Sequence, residues 1–467
     1  MTVQNALSPA SQMLRICLVV HEFFPNHIAG TEQFTAHLAR ALEDRGHRVI
    51  VFTREDAPPG ARPQLVSERA GEMHVHRLYW RQSGGRARAL LQDLRGGPPA
   101  IAFRRVLRDF RPHVVHFQHL LGLSLQLIAD AKDAGAKCAL TLNDFWFICP
   151  RIKLMRPPRK DEWTGLRCDG PYGGRACPPC SRGLGRRARF LLAGYHKHRF
   201  GRFRAAAALA DWVHSPSQHL AQLFSRAWGE DGPPIEVSDY GIDVDGVREQ
   251  CKDGAPRRDD RVRIAYIGAI IPEKGPDIFL DALSILGRGN WKARIHGDPE
   301  VQPHYGREVA AQARSLGVEM AGPYPPGQAG KVLADADLVV VPSRWWENRP
   351  LTVLEAFAAG VPVVAARLGG LAEMVRNDWG GWTFSPENAG DLARVLGEVI
   401  GDPDRRRKAA DRIPPLKDLL YLGEEMETRY LSMLRHGLRR ERDIGWSIGS
   451  DHVLGPQHRA SGRAEPQ

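Results

Sequence analysis

Short apolar runs alternate with amphipathic segments along most of this chain. The apolar run RICLVV, which begins at Arg15, is followed by the segment FTAHLARALEDRGH. In that segment Phe34, Leu38 and Leu42 fall on one helical face, and a glycine stands where the helix should end. The next apolar run, RVIVFT, has the length of a buried strand. Apolar strands that alternate with amphipathic helices predict a parallel sheet covered by helices on both faces.

This alternation occurs in two series that are separated by a polar stretch. The first series continues through the apolar runs HVVHFQ, CALTLND and DWVHSPS. The stretch CKDGAPRRDDR then interrupts the pattern, and a second series begins at RIAYIGAI. Two such series predict an α/β protein of two Rossmann-like, doubly wound domains that face each other across a central cleft.

Length and local composition set the expected domain boundaries. At 467 residues the chain is too long for one compact core. Residues 1–13 are expected to be a leader, and residues 436–467, which lack periodicity, a disordered tail. The other expected segments are an N-terminal domain over 14–250 with a Cys- and Arg-rich insert at about 149–204, a linker over 251–261, a C-terminal domain over 262–412 and a C-terminal helix over 413–435.

The positive charge of the chain is unevenly distributed. The formal net charge is +11, and no Asp or Glu occurs between Gly170 and Ala210. This region holds a basic cluster of eight residues: Arg182, Arg186, Arg187, Arg189, Lys197, Arg199, Arg202 and Arg204. Two interpretations stay open, a solvated face and a surface that binds anionic lipid headgroups or a phosphate-bearing substrate.

The expected cellular location bears on the seven cysteines. No secretory signal is visible, and no run approaches the roughly 20 apolar residues of a membrane span. We therefore expect a cytoplasmic protein, peripheral at most at the inner face of a membrane, with reduced thiols. Four cysteines lie in the insert, with one short pair in CPPC: Cys149, Cys168, Cys177 and Cys180. A structural zinc site, unlinked thiols and a disulfide are all compatible with this spacing.

The segment PSRWWENRPLTVLEAFAAGVPVVAARLGGLAEMV combines acidic residues with glycine turns. Glu347 lies after a predicted strand, and Glu355 lies eight positions later in the next helix. The positions from Asn348 to Leu351 begin that helix, so their free backbone N–H groups favour phosphate or developing negative charge. Carboxylates nearby can accept hydrogen bonds from the hydroxyl groups of a sugar and a ribose.

A second motif, YIGAIIPEKG, joins a predicted strand to a predicted helix. The strand ends at Gly268, and Lys274 opens the helix. A lysine at a helix N-terminus beside a glycine turn is suited to hold a diphosphate. The alternative is an ordinary surface lysine in a helix cap.

These motifs resemble those of the retaining glycosyltransferases of family 4, which have the GT-B fold. The resemblance covers roughly residues 14–435 and rests on the Glu-x7-Glu spacing, on PS, WW, EN, LEA, G-PVVA and GG--E in that order, and on YIGAIIPEKG. It implies that Glu347 meets the hydroxyls of the donor sugar, Glu355 the ribose and Lys274 the diphosphate. Glu373 would close the motif. The donor-binding residues so implied are Gly30, Gly268, Lys274, Glu347, Asn348, Pro350, Leu351 and Glu355.

The N-terminal half also resembles the family, and the chain departs from the family at two positions. The segment HEFFPNHIAGTEQF resembles the family's first glycine loop, at Gly30. Ala269 replaces a family arginine, so the diphosphate would rely on Lys274, backbone dipoles and an arginine such as Arg349. Asn143 replaces a family histidine as the implied catalytic residue, and it can still donate a hydrogen bond to a sugar hydroxyl. Local substitutes for that histidine are His21, His116 and His119.

The resemblance implies an activity. Members move a sugar from a nucleotide-sugar, here a UDP- or GDP-sugar, to a glycan, lipid-linked or small-molecule acceptor, with retention and typically in polysaccharide or glycoconjugate biosynthesis. No cofactor is implied for catalysis. A nucleotide-sugar epimerase on the same fold and a degenerate, non-catalytic binding subunit are the alternatives. Nucleic acid is not an expected partner, because no helix-turn-helix or aromatic-basic platform accompanies the basic cluster.

Overall fold

Two mainly parallel β-sheets organise the protein, one in each half of the chain. The structure is a computed structural model that describes residues 12–81, 94, 96–159, 162–180, 186–252 and 259–444, without the side chains of 186–191 and 436–444. Helices connect the parallel strands in both halves. The predicted architecture of two Rossmann-like domains is confirmed.

The N-terminal sheet has eight strands. They are β1 (Arg15–Val19), β2 (Arg48–Glu55), β3 (Gln64–Ala70), β4 (Met73–Tyr79), β5 (Val114–Phe117), β6 (Lys137–Thr141), β7 (Trp212–Ser215) and β8 (Glu236–Val237). Their order is β3-β4-β2-β1-β5-β6-β7-β8. Only the edge pair β3 and β4 is antiparallel among these described pairings.

Six helices occur in the N-terminal half of the chain within the described residues, and the last of them packs against helices of the C-terminal half. They are α1 (Gly30–Glu43), α2 (Gly97–Phe110), α3 (Gln126–Asp133), α4 (Arg186–Ala207), α5 (Gln218–Trp228) and α6 (Val244–Cys251). Helix α1 buries Phe34, Leu38 and Leu42, as the apolar spacing predicts. This face packs into the same core as β1, so the sequence pattern directly determines which side of the helix meets the sheet.

The C-terminal sheet has seven strands. They are β9 (Val262–Ile267), β10 (Trp291–His296), β11 (Glu319–Met320), β12 (Leu338–Val341), β13 (Val363–Ala366), β14 (Arg376–Asn377) and β15 (Gly380–Phe384), in the order β11-β10-β9-β12-β13-β15-β14. The helices of this half are α7 (Pro276–Leu286), α8 (Pro303–Leu316), α9 (Ala329–Leu333), α10 (Leu351–Ala358), α11 (Gly370–Met374), α12 (Ala389–Gly401) and α13 (Pro403–Asp411).

The last helix of the chain returns to the N-terminal half. Helix α14 (Leu419–Ile444) packs against α1, and the side chain of Arg45 donates to Glu427 at 2.5 Å. Our expected helix over 413–435 therefore begins later and ends later than predicted. The segment LRRERDI, which we assigned to a disordered tail, is helical because leucine, arginine and glutamate favour helix even without an apolar face.

Other predicted segments fall outside the described residues. These are most of the leader (1–11), the middle of the linker (253–258) and the remainder of the tail (445–467). Within the part of the chain that is described, no helix has both the length and the apolar character needed to cross a membrane.

The Cys- and Arg-rich insert is irregular before it reaches α4. An isolated antiparallel bridge joins Met155 to Arg167. Two short 3₁₀ turns follow, at Tyr172–Gly174 and Pro178–Cys180, and both pack against α4. The second half of the insert thus packs on the helix that ends it.

Candidate active site

Lys274 lies in a short turn that follows strand β9. The 3₁₀ turn Pro272–Lys274 ends at Gly275, whose φ of 68° is in the left-handed region. A Cβ atom at Gly275 would lie 2.3 Å from the carbonyl oxygen of Pro342. Glycine is needed here because the turn packs directly against the chain at the end of β12.

This packing brings Lys274 to Glu347. Nζ of Lys274 donates to Oε1 of Glu347 at 2.6 Å, and the hydroxyl of Ser343 donates to the same oxygen at 2.7 Å. Glu347 is only 5% exposed, and the Lys274 ammonium lies 5.1 Å from the ring centroid of Trp345. Charge-assisted bonds hold the buried carboxylate in one orientation. The structure therefore brings together the cation and the carboxylate that the sequence motifs singled out.

Two glycines support the loop that carries Glu347. The backbone N–H of Gly370 donates to the carbonyl of Glu347 at 2.8 Å, and Gly369 has a φ of 56°. A Cβ atom at Gly370 would lie 1.5 Å from the carbonyl oxygen of Asn348. A larger residue at Gly370 would displace this loop, so the glycine pair of the motif has a steric role.

The other predicted donor residues lie at strand ends and helix starts of both halves. Pro350 is the N-cap residue of α10, and Leu351 is its first residue. Gly268 follows β9, and its N–H donates to His296 O at 2.9 Å. Gly30 begins α1, and a Cβ atom there would meet open space. The structure thus gives no steric reason for glycine at position 30.

Glu355 lies one turn inside α10 and is half-buried. Burial raises the pKa of its carboxyl group to about 7. The ribose hydroxyls that the resemblance assigns to this residue would donate to the ionised form. Binding of a nucleotide would then favour loss of the Glu355 proton.

This pKa shift predicts a pH dependence. Because the folded-state pKa lies above the unfolded value, the folded protein binds the proton more tightly, and stability falls as pH rises from about 4.5 through about 7. The Glu355→Gln protein should therefore gain thermal stability relative to wild type between about pH 5 and about pH 8. Thermal unfolding of both proteins across this range measures the gain. A difference between the two unfolding temperatures that does not change with pH would contradict the prediction.

Asn143 is committed to other protein groups. Its Nδ2 donates to the carbonyl of Gln118 at 2.8 Å, and the hydroxyl of Tyr240 donates to its Oδ1. The backbone carbonyl of Asn143 in turn accepts a hydrogen bond from Asn348 of the C-terminal half. The side chain that the resemblance assigned to a sugar hydroxyl is thus bonded within the N-terminal half, and the backbone carbonyl of the same residue joins the two halves.

The three histidines considered as substitutes have different surroundings. His116 is fully buried and bonded to Tyr430 of α14 and to Thr141, so it stabilises the interior. His119 bonds Asp144 at 2.8 Å between Nε2 and Oδ2, and the ring of His21 packs 4.2 Å from that of His119. His21 and His119 follow β1 and β5, at the carboxyl edge of the N-terminal sheet.

Two arginines near Glu347, Arg344 and Arg349, form ion pairs with aspartates that the sequence analysis did not predict. Arg349, proposed above as a second diphosphate cation, forms a two-point ion pair with Asp239 of the N-terminal half. Arg344 is paired with Asp277, with Nη1 2.6 Å from Oδ1. Because the paired residues are far apart in the sequence, no local sequence pattern indicates these ion pairs. Because Arg349 is engaged by Asp239, the interpretation of Arg349 as a diphosphate ligand is not supported by its geometry.

Glu373 also joins the two halves. Its carboxylate accepts the backbone N–H groups of Gln218 and His219. These groups belong to the first residues of α5, where a negative charge stabilises free N–H groups and the helix dipole. Glu373 therefore closes the motif by capping a helix of the opposite domain.

The four insert cysteines lie near one another as thiols. Burial is the largest cause of a raised pKa at Cys149, where the value is about 11, and also at Cys177 and Cys180. Negative charge on the neighbouring cysteines raises these values further, whereas the N–H groups of Arg151 and Leu154 lower that of Cys149. In the described part of the chain, no three Cys, His, Asp or Glu residues are placed to hold a metal ion.

Part of the basic cluster is engaged within the protein. Arg199 is buried, donates to the carbonyl of Trp146 at 2.9 Å and packs over the ring of Phe203. Arg204 pairs with Asp231 at 2.9 Å. Lys197 and Arg202 are exposed. The side chains of the other four arginines, at 182, 186, 187 and 189, lie outside the described residues.

Two family models together match nearly the whole folded part of the chain. The model described as "Glycosyltransferase Family 4" matches residues 28–245, and the one described as "Glycosyl transferases group 1" matches residues 247–414. The chain belongs to glycosyltransferase family 4. Neither an epimerase nor a non-catalytic subunit is favoured by these matches.

Curated relatives match part of the length of this chain. D-inositol 3-phosphate glycosyltransferase of Gordonia bronchialis is 31% identical over 269 residues, which cover 54% of this chain and 58% of the relative. Lipopolysaccharide 1,2-N-acetylglucosaminetransferase of Salmonella typhimurium is 28% identical, with 38% of this chain and 49% of the relative covered. The chain spans about half the length of the curated relatives it matches.

Solved structures confirm the fold of the family 4 chain. Sucrose-phosphate synthase of Thermosynechococcus elongatus has a TM-score of 0.65 at 18% identity and covers 91% of this chain and 100% of its own. Anabaena HepE, solved with UDP and glucose, has a TM-score of 0.62 at 17% identity and covers 90% of this chain and 99% of its own. The fold is GT-B, as the resemblance implied.

Proposed function

We propose that this protein transfers a sugar from a nucleotide-sugar donor to an acceptor hydroxyl, with retention of anomeric configuration. The observation that carries the proposal is the contact between Lys274 and the buried Glu347, next to the first turn of α10. A cation, helix N–H groups and a fixed carboxylate suit a diphosphate on one side and sugar hydroxyls on the other. Glu355, on the same helix, adds an acceptor for ribose hydroxyls.

The reaction needs little acid-base chemistry from the protein. The bond between the anomeric carbon and the diphosphate oxygen breaks, and the acceptor oxygen bonds to the same face of that carbon. The acceptor proton passes to the departing phosphate. Lys274 and the N–H groups that begin α10 stabilise the negative charge on the diphosphate as it departs.

The donor nucleotide and the acceptor are finer proposals. Binding of UDP and glucose by HepE supports a UDP-sugar, and a GDP-sugar is the alternative. The names of the curated relatives support an acceptor that is a phosphorylated small molecule or a lipid-linked glycan. We propose an acceptor hydroxyl near His21 and His119, since these residues follow strands of the N-terminal sheet.

A panel of nucleotide-sugars tests the activity. UDP-, GDP- and ADP-sugars are screened for thermal stabilisation, and release of the nucleoside diphosphate is then followed with candidate acceptors. We expect one nucleotide class to stabilise the protein and its sugar to appear on the acceptor with the anomeric configuration of the donor, as read by proton NMR. An inverted product, or a sugar epimerised without transfer, would refute the proposal.

For the insert we propose a structural zinc ion bound by Cys149, Cys168, Cys177 and Cys180. Negative charge on Cys168 and Cys180 raises the pKa of Cys149, so these thiols lie close enough to interact, and a zinc ion would offset that repulsion between thiolates. The thiols would have to converge from their described positions. We expect about one zinc per purified chain, lost on changing Cys177 and Cys180 to serine. Metal analysis that finds no zinc in the unmodified protein would rule the site out.

We also propose that the basic cluster contacts anionic membrane lipid. Lys197 and Arg202 are the exposed basic residues of the cluster whose side chains the structure describes. Attraction between exposed charges is screened by salt, so co-sedimentation with vesicles containing anionic lipid should weaken as salt is raised. Absence of co-sedimentation at low salt would leave the cluster as a solvated face.

A further inference from the structure

The insert contains a hairpin that extends beyond its own domain. We call residues 152–168, except 160 and 161, which the structure does not describe, the insert hairpin. Its two arms are joined by the bridge between Met155 and Arg167 and by the bond from Cys168 N to Leu154 O at 2.8 Å. The hairpin follows β6 and precedes α4, so it belongs to the N-terminal half.

The side chains of the insert hairpin contact the C-terminal half at several points. Nζ of Lys153 lies 2.5 Å from Oε1 of Glu273. Nη1 of Arg167 donates to the carbonyl oxygen of Arg344 at 2.8 Å and to the carboxylate of Glu387 at 2.5 Å. The ring of Trp163 packs against that of Tyr305, with 5.1 Å between their centroids. The family motifs give no indication of these contacts.

Two of these contacts, to Glu273 and to the carbonyl of Arg344, fall on the two loops that form the candidate donor site. Glu273 directly precedes Lys274, and its backbone carbonyl accepts the N–H of Arg344 at 2.8 Å. Arg344 begins the loop that reaches Glu347, and the guanidinium of Arg167 lies 5.9 Å from the ring centroid of Trp346 in that loop. One arm of the hairpin therefore touches the lysine turn, and the other arm touches the glutamate loop.

We propose that Lys153 and Arg167 are positioning residues, through which the insert hairpin sets the donor-binding geometry of Lys274 and Glu347. This inference rests on the proposed function. The Lys274–Glu347 bond depends on the relative position of two loops, and the hairpin is bonded to both. An element of the N-terminal domain thereby fixes the donor site.

Partial exposure limits what each ion pair contributes to folding. The side chain of Lys153 is 36% exposed and that of Arg167 is 27% exposed. Ion pairs at such positions stabilise a fold only weakly. A variant that loses one pair should therefore remain folded, and its effect should appear in donor binding rather than in the unfolding temperature.

The test compares Arg167→Met and Lys153→Met with wild type. We expect the KM for the nucleotide-sugar, and the Kd for its nucleoside diphosphate, to rise about tenfold. An effect of this size is within the range of interaction free energies between residues of one hydrogen-bond network. The kcat at saturating donor should fall less. Arg156→Met is the matched control, because Arg156 is an exposed arginine of the same hairpin whose side chain has no described hydrogen bond or ion pair. It should behave as wild type.

A charge exchange separates positioning from a general loss of structure. Lys153→Glu should weaken donor binding more than Lys153→Met, because it places two carboxylates together. Adding Glu273→Lys should restore most of the wild-type Kd. The positioning role would be overturned if the exchange did not restore the Kd. It would also be overturned if the Arg167→Met, Lys153→Met and Arg156→Met proteins had equal Kd values. If the wild-type protein neither binds nor turns over any nucleotide-sugar, the proposed function itself fails instead.

Discussion

Replacing Lys274 with alanine should lower sugar transfer by at least about 100-fold at saturating donor, a loss of roughly 3 kcal/mol of transition-state stabilisation. The ammonium lies 2.6 Å from the buried carboxylate of Glu347, at the turn where the resemblance places the diphosphate. Ala269 offers no second cation, and Arg349 is held by Asp239. The charge on the departing phosphate would thus lose its main cation.

The Lys274→Ala effect is measured as the initial rate of nucleoside diphosphate release. Lys331→Ala is the control, because Lys331 is exposed on α9 and has no described side-chain partner. We expect the control to keep wild-type activity. A loss of only a few-fold on changing Lys274 would show that another residue holds the diphosphate.

Glu347→Gln should abolish transfer, with a loss of at least about 100-fold, and leave the fold intact. Glutamine has the same shape and can still accept the hydrogen bond from Ser343 that glutamate accepts at 2.7 Å. It lacks the negative charge that strengthens bonds to the sugar hydroxyls and pairs with Lys274. Catalysis should therefore suffer far more than packing.

Single-turnover transfer and thermal unfolding together test the Glu347 prediction. Glu308→Gln is the matched control, since Glu308 is an exposed glutamate on α8 of the same domain. The two variants should unfold at similar temperatures and differ in rate. Near-normal turnover by Glu347→Gln would remove Glu347 from the donor site.

The fold and the central pair of the site could be predicted from sequence because their signals are local. Apolar spacing identified the face of α1 that contains Phe34 and Leu38, and continuous apolar runs identified the parallel strands. Lys274 and Glu347 each follow a strand, β9 and β12, and these strands are neighbours in the sheet. Adjacent parallel strands place their carboxyl ends together, so the two side chains meet.

The contacts between the two halves could not be predicted in the same way. The pair of Arg349 with Asp239 spans 110 positions, and that of Arg167 with Glu387 spans 220. Side-chain pairing over such distances depends on how the domains pack, for which the sequence has no periodic signal. The amide of Asn143 shows the same limit within the N-terminal half, since Gln118 and Tyr240 bond the groups that were assigned to a sugar.

The central claim is that the C-terminal half holds a nucleotide-sugar donor. Calorimetric titration tests it most directly, with UDP, GDP and ADP titrated into the wild-type protein and into the Glu355→Ala and Glu308→Ala variants. It requires neither the acceptor nor the sugar to be known. We expect one nucleoside diphosphate to bind wild type and Glu308→Ala equally and Glu355→Ala at least about tenfold more weakly, as for the loss of a hydrogen-bonded charged partner. Binding of none of the three to wild type, or equal binding to all three proteins, would contradict the account.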